Sequence, residues 1–220
     1  MKKAWIAWSS GKDSAWALHE ARKSGEYEIV GALTTVTETF GRVAMHAVRE
    51  EILQRQCEAM ALPQKIVPIP FPCPNEIYEA RMNIALKEAK AKGVTHVIFG
   101  DLFLEDIRRY REEKMTGSGI APVFPLWGRP TDELAREMIE GGLKAQIVCV
   151  DPKILPREFA GRAFDRTLLD DLPKGVDPCG ERGEFHTCVV NGPMFSGEIK
   201  VKPGEVVERD GFVFADLVPL

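Results

Sequence analysis

A chain of 220 residues can bury a sizeable core in one large or two small domains, and with 45% apolar and 28% charged residues it is too apolar to be disordered. A net charge of −4 excludes broad, sequence-independent binding of nucleic acid, so an anionic nucleotide must be held by local amides and a few cations. Cys57, Cys73, Cys149, Cys179 and Cys188 form no C-x-x-C pair, which points to a reduced, cytoplasmic protein without structural zinc; no stretch has signal-peptide or membrane-spanning character.

The chain opens on Ala4-Trp5-Ile6-Ala7-Trp8, an apolar run of strand length. The small-residue turn Ser9-Ser10-Gly11 follows, then a helical segment from about Asp13 to Ser24 that Gly25 stops. Strand, tight turn and helix start together aim backbone N–H groups at an anion. Ser9, Ser10 and Gly11 let the backbone approach a phosphate, Lys12 supplies a point charge, and the Ser10 and Ser14 hydroxyls are further donors. A Walker loop is excluded, because Ile6 stands where its first Gly belongs and Asp13 where Ser or Thr must follow the Lys. A capping box, Ser10-x-x-Asp13, would explain a helix start but not Lys12.

Residues 27–35 read as a second strand, followed by the polar loop 37–41 and His46. Ile52, Leu53, Cys57 and Met60 form one helical face that Pro63 closes, and 65–69 is a third strand. Pro68, Pro70, Pro72 and Pro74 interrupt regular structure before a helix bearing Tyr78, Met82, Ala85 and Ala89. Val97-Ile98-Phe99 is a fourth strand ending in Gly100-Asp101, 104–114 a charged helix, and 123–126 a fifth strand. This alternation predicts an α/β parallel sheet with helices on both faces. Beyond Trp127-Gly128-Arg129-Pro130 the character changes. Thr131 caps a helix ending at Gly141-Gly142, 145–150 is a strand, and a short helix runs through Leu168 and Leu169. Antiparallel strands 187–190, 198–202, 205–209 and 211–218 follow, with Pro203-Gly204 and Asp210-Gly211 as turns. The expected division is 1–126 for the parallel-sheet domain and 127–220 for a smaller α+β domain.

Ligands of open parallel sheets sit at the carboxyl ends of the strands. Thr34 and Thr35 end the second strand, where backbone groups can meet an adenine edge; equally, two threonines simply finish a strand. Asp101 either holds Mg²⁺ beside phosphate oxygens or caps the next helix, and Asp13 is the other metal candidate. Arg108, Arg109, Arg111 and Lys114 share a helix with compensating acids, a solvated face from which one arginine can turn inward. The second strong signal is Cys179-Gly180-Glu181-Arg182-Gly183-Glu184-Phe185-His186-Thr187. Its acids and His can hold an amine, accept its proton or position a metal, where the plainer reading is a polar hairpin.

Ser9-Ser10-Gly11-Lys12-Asp13-Ser14 resembles the Ser-Gly-Gly-x-Asp-Ser loop of the N-type ATP pyrophosphatases, which release AMP and pyrophosphate, with Ser10 in place of the first Gly. Together with the His46 region, Trp127-Gly128-Arg129, Gly161-Arg162 and 180–187, it makes the chain similar to the diphthine–ammonia ligase-like family. The resemblance implies a Rossmann-like nucleotide-binding domain of the HUP, or adenine nucleotide alpha hydrolase-like, kind, and an acceptor pocket at the junction with the smaller domain. It implies ATP and Mg²⁺ as cofactors. ATP binding falls to Ser9, Ser10, Gly11, Lys12, Asp13, Ser14, Thr34, His46, Gly100 and Asp101. Acceptor binding falls to Trp127, Arg129, Glu181, Glu184, His186 and Thr187, and the chemistry to Lys12, Asp13, Glu184 and His186. The implied reaction adenylates a carboxylate and passes it to ammonia or an amine. The ligase branch of that family typically has Glu where this chain has His186, so the acceptor stays open: diphthine, a corrinoid or another carboxylate, small or protein-borne. No membrane partner is implied, and there is room for a homodimer. A tRNA-modifying relative would bring paired cysteines and a basic surface, and a non-catalytic nucleotide-binding protein a later glycine-rich signature; neither is in the sequence.

Overall fold

A computed structural model describes all 220 residues. In chain order the elements are β1 (Lys2–Ala7), α1 (Lys12–Ser24), β2 (Tyr27–Thr37), β3 (Arg42–Val43), α2 (Glu50–Met60), β4 (Gln64–Ile69), α3 (Asn75–Ala91), β5 (His96–Ile98), α4 (Glu105–Met115) and β6 (Ala121–Val123). The second half continues with α5 (Thr131–Glu140), β7 (Lys144–Val150), a 3₁₀ turn (Arg157–Phe159), α6 (Arg166–Asp171), β8 (Phe185–Asn191), β9 (Val201–Arg209) and β10 (Phe212–Pro219).

The fold is α/β. β1 lies at the centre of a mostly parallel sheet, with Ile6 opposite Ala32 of β2 on one side and Ile98 of β5 on the other. A central parallel strand is covered on both faces, which is why its residues run apolar without alternation; Ala4, Trp5 and Ile6 are all buried. β4 continues the sheet beyond β2, β6 beyond β5, and β3 adds a short antiparallel piece. α3 and α4 cover one face through Ala85, Leu86, Ala89 and Met115. The other face belongs to the larger core, which takes Leu18 from α1, Ile52 and Leu53 from α2, and Ile147, Val189 and Val213 from a separate antiparallel sheet ordered β8-β7-β10-β9. Gln56 runs through this core as a polar bolt: it accepts from Trp8 Nε1 at 3.0 Å and donates to the Val189 carbonyl at 2.7 Å. No helix is long and apolar enough to cross a membrane.

Three local expectations change. Pro203-Gly204 does not turn the chain; β9 continues through it with a shift of register between Pro203 and Val206, on the edge strand of its sheet, where a proline is tolerated. Thr131 is the first residue of α5 rather than its cap, a place held by Pro130. Nor does Ser10 cap α1: Gly11 stands there, without any side-chain hydrogen bond.

Candidate active site

The carboxyl ends of β1 and β5 meet the amino end of α1, and the 177–187 loop closes over them. Between them lies a cavity of about 240 Å³ whose lining includes Ser9, Lys12, Asp13, Ser14, His46, Gly100, Asp101, Glu181, His186 and Thr187. Ser10 takes the left-handed φ of +68° that makes a glycine comfortable at this place, at a cost to a serine of about 1–2 kcal/mol. Gly11 has an ordinary φ, and its need is different: an added Cβ would lie 2.6 Å from Cε1 of His46. Gly100 allows an equally close approach, because a Cβ there would stand 2.8 Å from Ser14 N.

The bend leaves groups free. The N–H groups of Ser10, Asp13 and Ser14 donate to nothing in the protein, whereas Lys12 N–H donates to Thr187 Oγ1 at 3.1 Å. Ser10 Oγ and Asp13 Oδ1 are buried without a partner. Lys12 is buried, with Nζ 2.8 Å from Asp13 Oδ2, donating also to the Cys179 carbonyl and lying over the Phe185 ring. Burial works against its charge, but Asp13, with Cys179 and Glu181 nearby, holds the ammonium above its ordinary value. Burial pushes the Asp13 carboxyl up, against the pull of Lys12.

The imidazoles of His46 and His186 pack at 4.8 Å between ring centres. His46 Nδ1 lies 2.9 Å from the Thr187 carbonyl oxygen. A carbonyl only accepts, so Nδ1 carries the proton and Nε2 keeps its lone pair. Burial, reinforced by Lys12, holds His46 down to about 4; burial, His46 and Lys12 hold His186 down to about 3. Both rings are neutral at pH 7. Glu181 accepts from Leu102 N–H at 2.8 Å, and burial pushes its carboxyl up to about 7.

Glu184, Trp127, Arg129 and Thr34 stand apart from this cavity. Glu184 is a turn staple: its two oxygens accept from the N–H groups of Asp177 at 3.1 Å and Arg182 at 2.9 Å. Trp127 packs under the Arg108 guanidinium, and Arg129 pairs with Glu137, which also accepts from Trp16 Nε1; neither lines the cavity. Thr34 is buried with an unpartnered hydroxyl on the far side of β2; Thr35 carries its side chain to the ligand side, and its carbonyl is already taken by Ala44 N–H. Asp101 does not cap α4, whose cap position is Leu104. Both its oxygens accept from Arg111, at 2.7 and 3.1 Å, so Arg111 is the arginine of its helix that turns inward.

A larger cavity of about 650 Å³ opens off the same bend, sharing Ser9, His46, His186 and Arg111 with the smaller one. Its walls come from the segments after β2 and β4 and from the β9–β10 hairpin, including Phe40, Phe71, Arg209 and Phe214. Sequence reasoning placed this hairpin and its Asp210-Gly211 turn but did not bring it to the site, and it missed Asp177, whose Oδ2 accepts from Glu181 N–H at 2.8 Å. Asp177 lies two residues ahead of Cys179, and the one signal for Gln56, which sequence reasoning passed over, is a polar residue on the apolar face of α2.

Residues 130–215 match the family model described as the diphthamide synthase C-terminal domain. The diphthine–ammonia ligase of Homo sapiens is 33% identical over 141 residues, covering 61% of this chain and 53% of that protein. That of Bos taurus is 29% identical over 236 aligned residues, covering 96% of this chain and 87% of its own length, and that of Schizosaccharomyces pombe is 31% identical over 95 residues, 16% of its length. The chain thus spans about half the length of the human relative and most of the bovine one.

Proposed function

From the premise that this is a diphthine–ammonia ligase-like chain, we propose that it activates a carboxylate with ATP, releasing pyrophosphate, and passes the acyl group to ammonia or an amine with release of AMP. The observation that carries this reading is the set of unpartnered donors on the 9–14 bend beside a buried, charged Lys12. Buried polar groups normally find partners, so a cluster without them at the amino end of a helix favours a bound anion.

The phosphates lie over the bend in this proposal, and the adenosine extends towards Thr35 and Ile69 in the larger cavity. An acceptor oxygen attacks the α-phosphorus, the bond to the β-phosphate oxygen breaks, and pyrophosphate leaves with its charge met by Lys12 and the free amides of Asp13 and Ser14. Lys12 is already desolvated and tied down, so it needs little reorganisation as that charge develops. Asp13 Oδ1, buried and unpartnered, fits Mg²⁺; Asp101, occupied on both oxygens, does not without releasing Arg111. When bound, that ion would neutralise phosphate charge. The amine nitrogen then attacks the acyl carbon, AMP departs, and the nitrogen sheds a proton to Glu181, whose carboxyl is poised near neutrality. We assign 1–126 to nucleotide binding and 127–220 to the acceptor side. A thiolating role is disfavoured: burial pushes Cys57, Cys149 and Cys188 up to about 12, away from the thiolate.

The test is release of AMP and pyrophosphate in equal amounts when ATP, ammonium and candidate carboxylates, including elongation factor bearing diphthine, are supplied. ADP and phosphate as products would reject adenylation, and a nucleotide that stays ATP with every acceptor would point to binding without catalysis.

A further inference from the structure

Arginine is common on protein surfaces, but in this cavity three arginines differ in what they have left to offer. Arg42 donates to Asp216 at 2.8 Å and to the Ala47 carbonyl at 2.7 Å. Arg111 is spent on Asp101. Arg209, at the tip of the β9–β10 hairpin, meets only Asp210, 3.7 Å from its Nε, and its terminal nitrogens donate to nothing in the protein. Its guanidinium lies 4.7 Å from the Phe40 ring centre and 5.2 Å from that of Phe214. Asp210 and Gly211 take the positive φ values of a tight two-residue turn, and Asp216 lower in the hairpin also accepts from Arg49 Nη2 at 2.5 Å. Around the mouth Phe40, Met45 and Phe71 are 40%, 66% and 55% exposed, and the rings of Phe40 and Phe71 stand 5.5 Å apart.

We propose that the outer part of this larger cavity binds the acceptor, and that the acceptor is a flat, apolar carboxylate with a second anionic group held by Arg209. The inference rests on the ligase reading for calling the occupant an acceptor; the binding preference itself does not. A free guanidinium fork matches a carboxylate or a phosphate with two parallel hydrogen bonds. The exposed Phe71 ring and the side of Phe40 turned away from Arg209 supply stacking area for a planar body. A cationic body is disfavoured, because Arg209 itself already occupies the faces of Phe40 and Phe214, where a cation would otherwise sit. An anion-selective mouth on a chain of net charge −4 is a local arrangement, not a consequence of the whole field.

The test is calorimetric binding of three planar probes, naphthalenedicarboxylate, naphthoate and naphthyl-trimethylammonium, to the full chain with a non-hydrolysable α,β-methylene analogue of ATP present; a naphthyl phosphate carrying a carboxylate separates phosphate from carboxylate as the second anion. The expected result is that the dianions bind about tenfold more tightly than naphthoate, that the cation binds most weakly, and that Arg209→Gln brings dianion and monoanion to equal affinity with naphthoate binding unchanged. Phe40→Ala should weaken all the planar anions together. Equal affinities in the wild type, preference for the cation, a ratio untouched by Arg209→Gln, displacement of the probes by the analogue, or no binding at millimolar concentration would each overturn the proposal. Binding of the analogue is read separately. If the analogue binds and the probes do not discriminate, this inference falls and the ligase reading stands; if the analogue fails to bind, the ligase reading falls instead.

Discussion

The 9–14 bend and the 177–187 loop are both short, glycine-containing turns rich in polar side chains, and they face each other across one cavity. They handle their polar groups in opposite ways. The loop satisfies itself: Glu184 takes two of its amides, Asp177 takes a third, and Glu181 takes Leu102 N–H. The bend leaves three amides, a hydroxyl and a carboxylate oxygen open. Since unmet polar groups in a folded interior are costly, the contrast separates a surface prepared for a ligand from a scaffold that holds it in place.

Removing the charge at the join should produce the largest effect. Lys12→Ala is expected to lower pyrophosphate release by about 10²- to 10³-fold at saturating ATP. It should also lower unfolding free energy by about 3 kcal/mol in urea titration, since it strands Asp13 in the interior. Unchanged turnover would remove Lys12 from the proposed chemistry.

The two acids of the loop sharpen the contrast next. Activity should rise through pH 7 as Glu181 ionises near its value of about 7, and Glu181→Gln should abolish that limb with about a 10²-fold loss at pH 8. Glu184→Gln should leave the pH profile in place and cost about 1–3 kcal/mol of stability, because one loop amide loses its acceptor. A pH profile that followed Glu184 instead would reverse the two roles.

Two glycines make the same comparison at smaller scale. In Gly11→Ala the new methyl meets the His46 ring, so turnover should fall about tenfold, a rise of about 1.4 kcal/mol in the barrier, with little change in melting temperature. Gly183→Ala meets nothing within 4 Å but is held at φ +88°, so it should cost about 1–2 kcal/mol of stability and no catalysis.

Acid sensitivity tests the histidine pair that borders both regions. His46 and His186 have folded values of about 4 and about 3 against 6.5 for the free side chain. Below pH 6.5 the unfolded chain therefore binds protons that the folded chain does not, and stability falls as pH is lowered towards 4. Both rings border the cavity, and water entering it relieves part of their burial, so the loss at pH 5 is at most about 2 kcal/mol per ring. Urea titrations at pH 7 and pH 5 should show it, and the double variant His46→Asn with His186→Asn should flatten it.

Sequence alone determined what depends on neighbours along the chain. Apolar runs of strand length separated by helical faces specify a parallel sheet, as in β1 and α2, and a small-residue turn between strand and helix specifies where amides are exposed. Edges and partnerships escape such reading. Pro203-Gly204 turns a chain in isolation, yet here it lies at a register shift on an edge strand. Glu184 and Glu181 are chemically equivalent in the motif; only packing puts one against its own loop amides and the other against Leu102 and the cavity. Arg209 comes within reach of Phe40 although they lie 169 positions apart in the chain, and no local pattern encodes that approach. Tertiary structure decided these roles because burial and hydrogen-bond satisfaction belong to contacts between distant segments, while periodicity and turn preference belong to the backbone itself.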